Sequence, residues 1–292
     1  MCTCGRIHTN AARQDPTHTV TLRKRWEQEF GRRFRKLRGR IRKVIVDDDG
    51  FGLRTNQRQF AFERSEDKVA AFLDWLRRAQ REEVIGVSEG VPINRAGRQA
   101  WTHIYVEAAY RSGVQQSANT LKSAGASVSD RWVDAAFNRP IHADRLGLAY
   151  TRVFSELEGI TDAMDRQISR VLAAGIGRGA APGDIARAIN DRVSKIGMAR
   201  AKTLARTEVI SAHAEASLNS YEEAGVEGVD VLAELATAGD GKVCEECEAL
   251  ERQVEADGGW PLDRARGVVP VHPNCRCAWI PRVVNGTGIE LR

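Results

Sequence analysis

Five thiol and imidazole donors near the end of this 292-residue chain limit its fold more than any other feature: Cys244-x2-Cys247-x24-His272-x2-Cys275-x-Cys277. Zinc takes four soft or borderline ligands in a tetrahedron, commonly two from each of two tight turns. A C-x-x-C turn lets Cys244 and Cys247 converge on one ion, and His272 with Cys275 does the same from the other side. Five candidates then compete for four places. Alternate residues of an extended chain point apart, so Cys275 and Cys277 are hard to aim at one ion. The spacing favours Cys244, Cys247, His272 and Cys275, with Cys277 as the substitute for either of the last two.

A catalytic metal keeps one position open for water and has a carboxylate nearby as base. Here the donors outnumber the places, which argues for a closed structural site. Glu245, Glu246 and Glu248 flank the first pair as exposed acids around a knuckle. A cysteine nucleophile with His272 as base is the weaker reading, because no oxyanion hole is legible. The run His272-Pro273-Asn274 beside C-x-x-C also raises an HNH-type nuclease. Such a site needs further histidines, and none follows His272 or lies between His213 and His272. The expectation is no catalytic residue. A second group, Cys2, Cys4 and His8, reads as incidental.

Six cysteines clustered in this way point to metal ligands in a reducing compartment, not to a disulfide framework. The first residues lack the apolar core of a signal peptide, and no apolar run reaches the roughly 20 residues that span a bilayer. Synthesis in the cytoplasm and no membrane role are therefore expected. The chain carries 44 Lys+Arg against 39 Asp+Glu, only mildly basic in sum. The distribution is more telling. Between Thr21 and Ile45, Trp26, Phe30, Phe34, Leu37 and Ile41 draw one apolar stripe along a helix. Its other faces carry Arg23, Lys24, Arg25, Arg32, Arg33, Arg35, Lys36, Arg38, Arg40, Arg42 and Lys43. Such a helix can pack on protein while offering charge to nucleic acid or an acidic partner; the alternative is a solvated face.

The stretch Val46–Gly52 reads as a turn. Helices are expected over Asp67–Ile85 and Gly97–Gly125, the latter with Trp101, Ile104, Tyr105 and Ala108 on its apolar side. The Gly, Ser and Pro punctuation up to Asn138–His142 suggests a hinge. Two helices should follow His142, the second with Thr161 as N-cap and Gly175 just past its end. A helix behind Pro182 and a long one over Met198–Gly225 come next. Strands are expected at Val229–Ala238 and Cys277–Val284. The reading is therefore a mainly α-helical N-terminal part followed by an α+β C-terminal domain, with a small antiparallel sheet stapled by a zinc knuckle. The segments are 1–60 (basic arm and amphipathic helix), 61–140 (helical) and 141–292, the last with helices over 142–225, a zinc-binding β module over 226–284 and a short tail.

On the long helix, Arg206, Thr207 and Glu208 precede the cysteine module, either as a solvated face or with Arg206 and Glu208 as a polar clamp on it. The order Arg206-Thr207-Glu208, then Cys244 and Cys247, then Pro270, His272, Pro273, Cys275, Arg276 and Cys277 resembles the phage Mu F-like head morphogenesis family of minor capsid proteins. The resemblance covers roughly Arg145 to Val284. It implies a virion component associated with the portal and the capsid interior, needed for head assembly or for DNA packaging and delivery, without catalysis. The implied partners are the portal protein, the major capsid or scaffold protein, and packaged DNA. A zinc-stabilised DNA-binding protein is the rival from another class, with the nuclease behind it.

Overall fold

The computed structural model describes residues 15–51, 68–86, 100–285 and 290–291; Cys2, Cys4 and His8 lie outside them. Among the described residues the chain is mostly helical: α1 (Val20–Arg42), α2 (Lys68–Gln80), α3 (His103–Ser123), α4 (Asp130–Ala136), α5 (Pro140–Gly177), α6 (Pro182–Arg192), α7 (Ala199–Val226), α8 (Glu245–Ala256) and α9 (Leu262–Ala265). The strands are β1 (Ser127–Val128), β2 (Asp230–Ala236), β3 (Ala278–Asn285) and β4 (Glu290–Leu291). β2 and β3 pair antiparallel, from Asp230 opposite Asn285 to Ala236 opposite Ala278. β1 and β4 form a short parallel pair. No helix of the described residues is long and apolar enough to cross a membrane.

The chain divides into two compact units built from interleaved stretches, a partition of another kind from consecutive segments along the sequence. One holds Arg25–Trp101 and Thr151–Leu204. Its centre is the α1 stripe: Trp26, Phe30, Leu37 and Ile41 are wholly buried and Phe34 nearly so. Burying five such side chains contributes on the order of 10 kcal/mol before chain entropy is counted. The π-helical segment Val193–Met198, between α6 and α7, comes very close to that stripe. A Cβ on Gly197 would stand 2.5 Å from the Phe34 ring and 2.7 Å from Met164 Sδ. At its end α1 widens over Lys43–Asp47, and the chain leaves through Asp49 at φ 46, the turn expected there.

The other unit holds the chain up to Lys24, Thr102–Tyr150 and Ala205 onward. Its axis is α7, whose Val209, Ile210, Ala212, Ala214, Ala216, Leu218, Tyr221 and Ala224 are all buried. A helix apolar around most of its circumference belongs inside a core. On one side α3 approaches it at Gly113, where a Cβ would meet the His213 carbonyl at 2.6 Å and Ala216 Cβ at 2.7 Å. On another the β2–β3 ribbon, α8 and α9 share one apolar cluster with α7, containing Val229, Leu235, Val254, Trp260 and Trp279. Trp260 extends the ribbon by exchanging two backbone hydrogen bonds with Ala233, both 2.8 Å.

Three expectations need correction. The two helices expected after His142 are one, α5; Thr161 sits inside it and donates back to the Glu158 carbonyl at 2.8 Å instead of capping. The buried face of α3 is Val106, Ala109, Tyr110, Gly113, Val114, Ser117, Ala118 and Leu121, whereas Ile104 is 54% exposed; the small Gly113 marks where α7 comes closest along that face. The Asn138–His142 stretch lies within one unit together with both its flanks, so it hinges nothing there.

Candidate metal centre

The C-x-x-C turn works as a helix start. Cys244 is the N-cap of α8, at φ −82 and ψ 158, and its Sγ accepts the Cys247 N–H at 3.4 Å. A thiolate suits that position, where the unpaired N–H groups of the first turn gather positive charge. The same N–H holds the Cys244 thiol below its ordinary range. α8 is tied to β2 by Glu251, which accepts from Thr237 N at 3.0 Å and Thr237 Oγ1 at 2.9 Å.

The second half is a turn around Asn274, which takes φ 67, a conformation an Asn tolerates better than most residues. Cys275 N–H bonds the His272 carbonyl at 3.0 Å. Asn274 N–H reaches the Thr207 hydroxyl of α7 at 3.3 Å. His272 Nδ1–H donates to the Pro273 carbonyl at 2.9 Å, which leaves the Nε2 lone pair aimed at the thiols. That bond also raises the His272 pKa.

Together the two halves place His272 Nε2 3.1 Å from Cys244 Sγ and 3.2 Å from Cys247 Sγ. Cys247 Sγ is 4.0 Å from Cys275 Sγ. In tetrahedral zinc, with Zn–S near 2.3 Å and Zn–N near 2.0–2.1 Å, donor atoms stand roughly 3.5–3.8 Å apart. The donor types suit such an ion, and its binding would spread the two imidazole–thiol separations by a few tenths of an ångström and draw Cys247 and Cys275 slightly together. A cavity of about 30 Å³, lined by Cys244, Cys247, His272, Cys277, Lys242 and Arg276, lies at the cluster.

The fourth place has two claimants, as the sequence left it. The donors form two groups that share Cys247: Cys244, Cys247 and His272, and Cys247, Cys275 and Cys277. Cys277 faces the cavity. Cys275 is the better anion. The Cys277 thiol and the N–H groups of Cys277 and Val271 bring it down to about 5, despite burial. Sharing that hydrogen bond with Cys275 drives Cys277 up, and burial pushes Cys247 to about 12.

Arg276, between the two cysteines, makes a two-pronged pair with Asp240 at 2.7 Å on both bonds. These bonds hold the Asp240 carboxyl down at about 2. The pair links the second knuckle to the turn that leads into the first. Sequence reading missed it, because an Asp in a Gly-Asp-Gly turn signals only a turn. On α7, the residues expected as a clamp lie on either side of a contact with the knuckle. Glu208 is buried and Arg206 exposed, while Thr207 between them touches the knuckle. Further along α7, Arg266 pairs with Glu222, with Asn219 at 2.8 Å and with Glu215 at 3.4 Å, so those glutamates are not idle surface charges.

The basic residues of α1 separate into two sets. Arg23 is buried and paired with Asp15 at 2.8 Å. Arg32 and Arg33 share Glu29, Arg40 reaches Glu82 and Glu83, and Lys36 stands 4.0 Å from Glu83. Lys24, Arg25, Arg35, Arg38, Arg42 and Lys43 are exposed.

No curated protein and no solved structure is matched by this chain. Residues 166–280, which hold the Arg-Thr-Glu helix and the five donors of the cluster, match the family model described as Phage Mu protein F like protein.

Proposed function

We propose that the protein is a minor capsid, head morphogenesis component of a tailed bacteriophage, acting by assembly and not by turnover. The observation that carries this is that the family-matched stretch contains the whole Cys/His module and its anchoring helix. Zinc would be held by Cys244, Cys247, His272 and one of Cys275 and Cys277. Bound there, it supplies a structural cross-link worth on the order of 10 kcal/mol to the folding of a small module, taken here as residues 226–284. The residues around it fix its ligands: the Pro273 carbonyl orients the imidazole, and the Arg276–Asp240 pair holds the two knuckles in register. Thiol and imidazole donors in excess of four leave no open coordination place for a hydrolytic water, which supports a non-enzyme.

In this reading the helices dock to the portal protein and to major capsid or scaffold subunits. The protein resides in the virion, in the capsid interior or at the portal vertex, and assists packaging or delivery of DNA. Mass spectrometry of purified proheads and virions tests it. The expected result is the protein in both particles at low copy number; absence from both overturns the assignment. Incubating the protein with plasmid and Mg²⁺ or Mn²⁺ should leave the DNA intact, and cleavage abolished by His272→Ala would overturn the non-enzyme reading in favour of the nuclease.

A further inference from the structure

We infer that one exposed face of α1 binds the phosphate backbone of duplex DNA without sequence preference. Among the described residues, Arg25, Arg35, Arg38, Arg42 and Lys43 have no acidic partner, in contrast to the committed Arg23, Arg33 and Arg40. At roughly 100° per residue, these five fall within about 140° of the circumference of the helix, opposite the buried stripe. From Arg25 to Lys43, just past the end of α1, they extend along about 27 Å at 1.5 Å per residue. Gly39 and Gln28 lie on the same arc. A Cβ on Gly39 would meet nothing, so packing does not require the glycine, and the face stays low where a rod-like partner must lie close.

The opposite face fixes this array. Trp26, Phe30, Phe34, Leu37 and Ile41 are buried, so the helix cannot roll to hide its charges. Holding unpaired like charges in line is unfavourable unless an anion of matching pitch neutralises them. Duplex DNA carries one charge per ~1.7 Å of axis, and each neutralised phosphate releases counterion. An acidic protein surface has no such linear charge density. The side chains on the arc are long cations instead of the short amides and hydroxyls that read base edges, so the contact is to the backbone. This inference rests on α1 alone, independent of the metal centre and of the virion assignment, and each can fail without the others.

The test is fluorescence anisotropy of the purified full chain with a labelled 30-bp duplex between 50 and 200 mM salt. Five phosphate contacts predict a slope of log K on log salt near −4.5. The triple variant Arg35→Gln, Arg38→Gln, Arg42→Gln should flatten the slope by about 2.7 and weaken binding by at least tenfold at 100 mM salt. Gln keeps good helix propensity, and the wild-type slope needs no variant at all. An equal loss of charge off the arc, Arg170→Gln, Arg178→Gln, Arg192→Gln, should leave the slope within about one unit. The inference is overturned by no binding at 50 mM salt, by equal effects of the two triples, or by poly-glutamate competing as well as unlabelled duplex.

Discussion

His213 shows how much one side chain can set the pH response of the molecule. It is wholly buried, its Nε2–H donates to Gln116 Oε1 at 2.9 Å, and Gln116 in turn donates to the Pro16 carbonyl. Among the described residues its Nδ1 has no partner, so protonation would create a buried N–H with none of them to accept it. Burial, opposed by Asp15 and reinforced by His18 and Arg23, lowers its pKa to about 4 from 6.5. The unfolded chain therefore binds the extra proton first, and stability falls as pH drops from about 6.5 towards 4. The loss should reach about 3 kcal/mol at most, and urea unfolding across that range should show it flattened in His213→Gln. The cysteines make the second claim at this scale. In cobalt-substituted protein, replacing a ligating thiol should remove about one third of the sulfur-to-metal charge-transfer intensity. Cys275→Ser is expected to do so and Cys277→Ser to spare it, because Cys275 holds the hydrogen bonds that stabilise a thiolate. Equal losses from both variants would count against that ordering.

Among the elements, α3 and α7 meet closely at Gly113. Gly113→Ala places a methyl against a backbone carbonyl that cannot rotate away, and a loss of about 1–3 kcal/mol in thermal or urea unfolding is expected. Gly39→Ala, open on all sides, should be neutral or slightly stabilising in the same assay. Arg276→Ala should release the Asp240 turn and weaken zinc by about 10–100-fold in competition with a chelator, while leaving the donor set unchanged. What could be read in advance follows the strength of the local pattern. The α1 stripe, the β2–β3 ribbon and the cysteine pairs repeat at spacings that only one local geometry satisfies, and all are found. The single helix α5 was not legible, because Thr161 has two uses for its hydroxyl and the choice depends on the rest of the core. The buried face of α3 was hidden likewise: apolarity pointed to Ile104, but the face that packs is the one carrying Val106, Tyr110, Gly113 and Leu121, and only the neighbouring α7 decides between them. Pairs such as Arg276–Asp240 and Arg266–Asn219 join residues far apart in sequence, where charge alone names no partner.

For the molecule as a whole, metal removal should act on one region. A strong chelator should raise amide exchange in α8, β2 and β3, while the α1 stripe keeps its protection. Uniform loss of protection, or none, would remove the structural role assigned to the ion. The matched stretch begins at residue 166, yet the apolar cluster beneath the metal centre also contains Ala118, Leu121, Val128 and Trp132, which precede it. The region that carries the family signature is therefore not a transplantable cassette. Expressed from residue 166 onward it would present a bare apolar face along α7, and any exchange of this region between related genomes must carry α3 and α4 with it to yield a protein that folds.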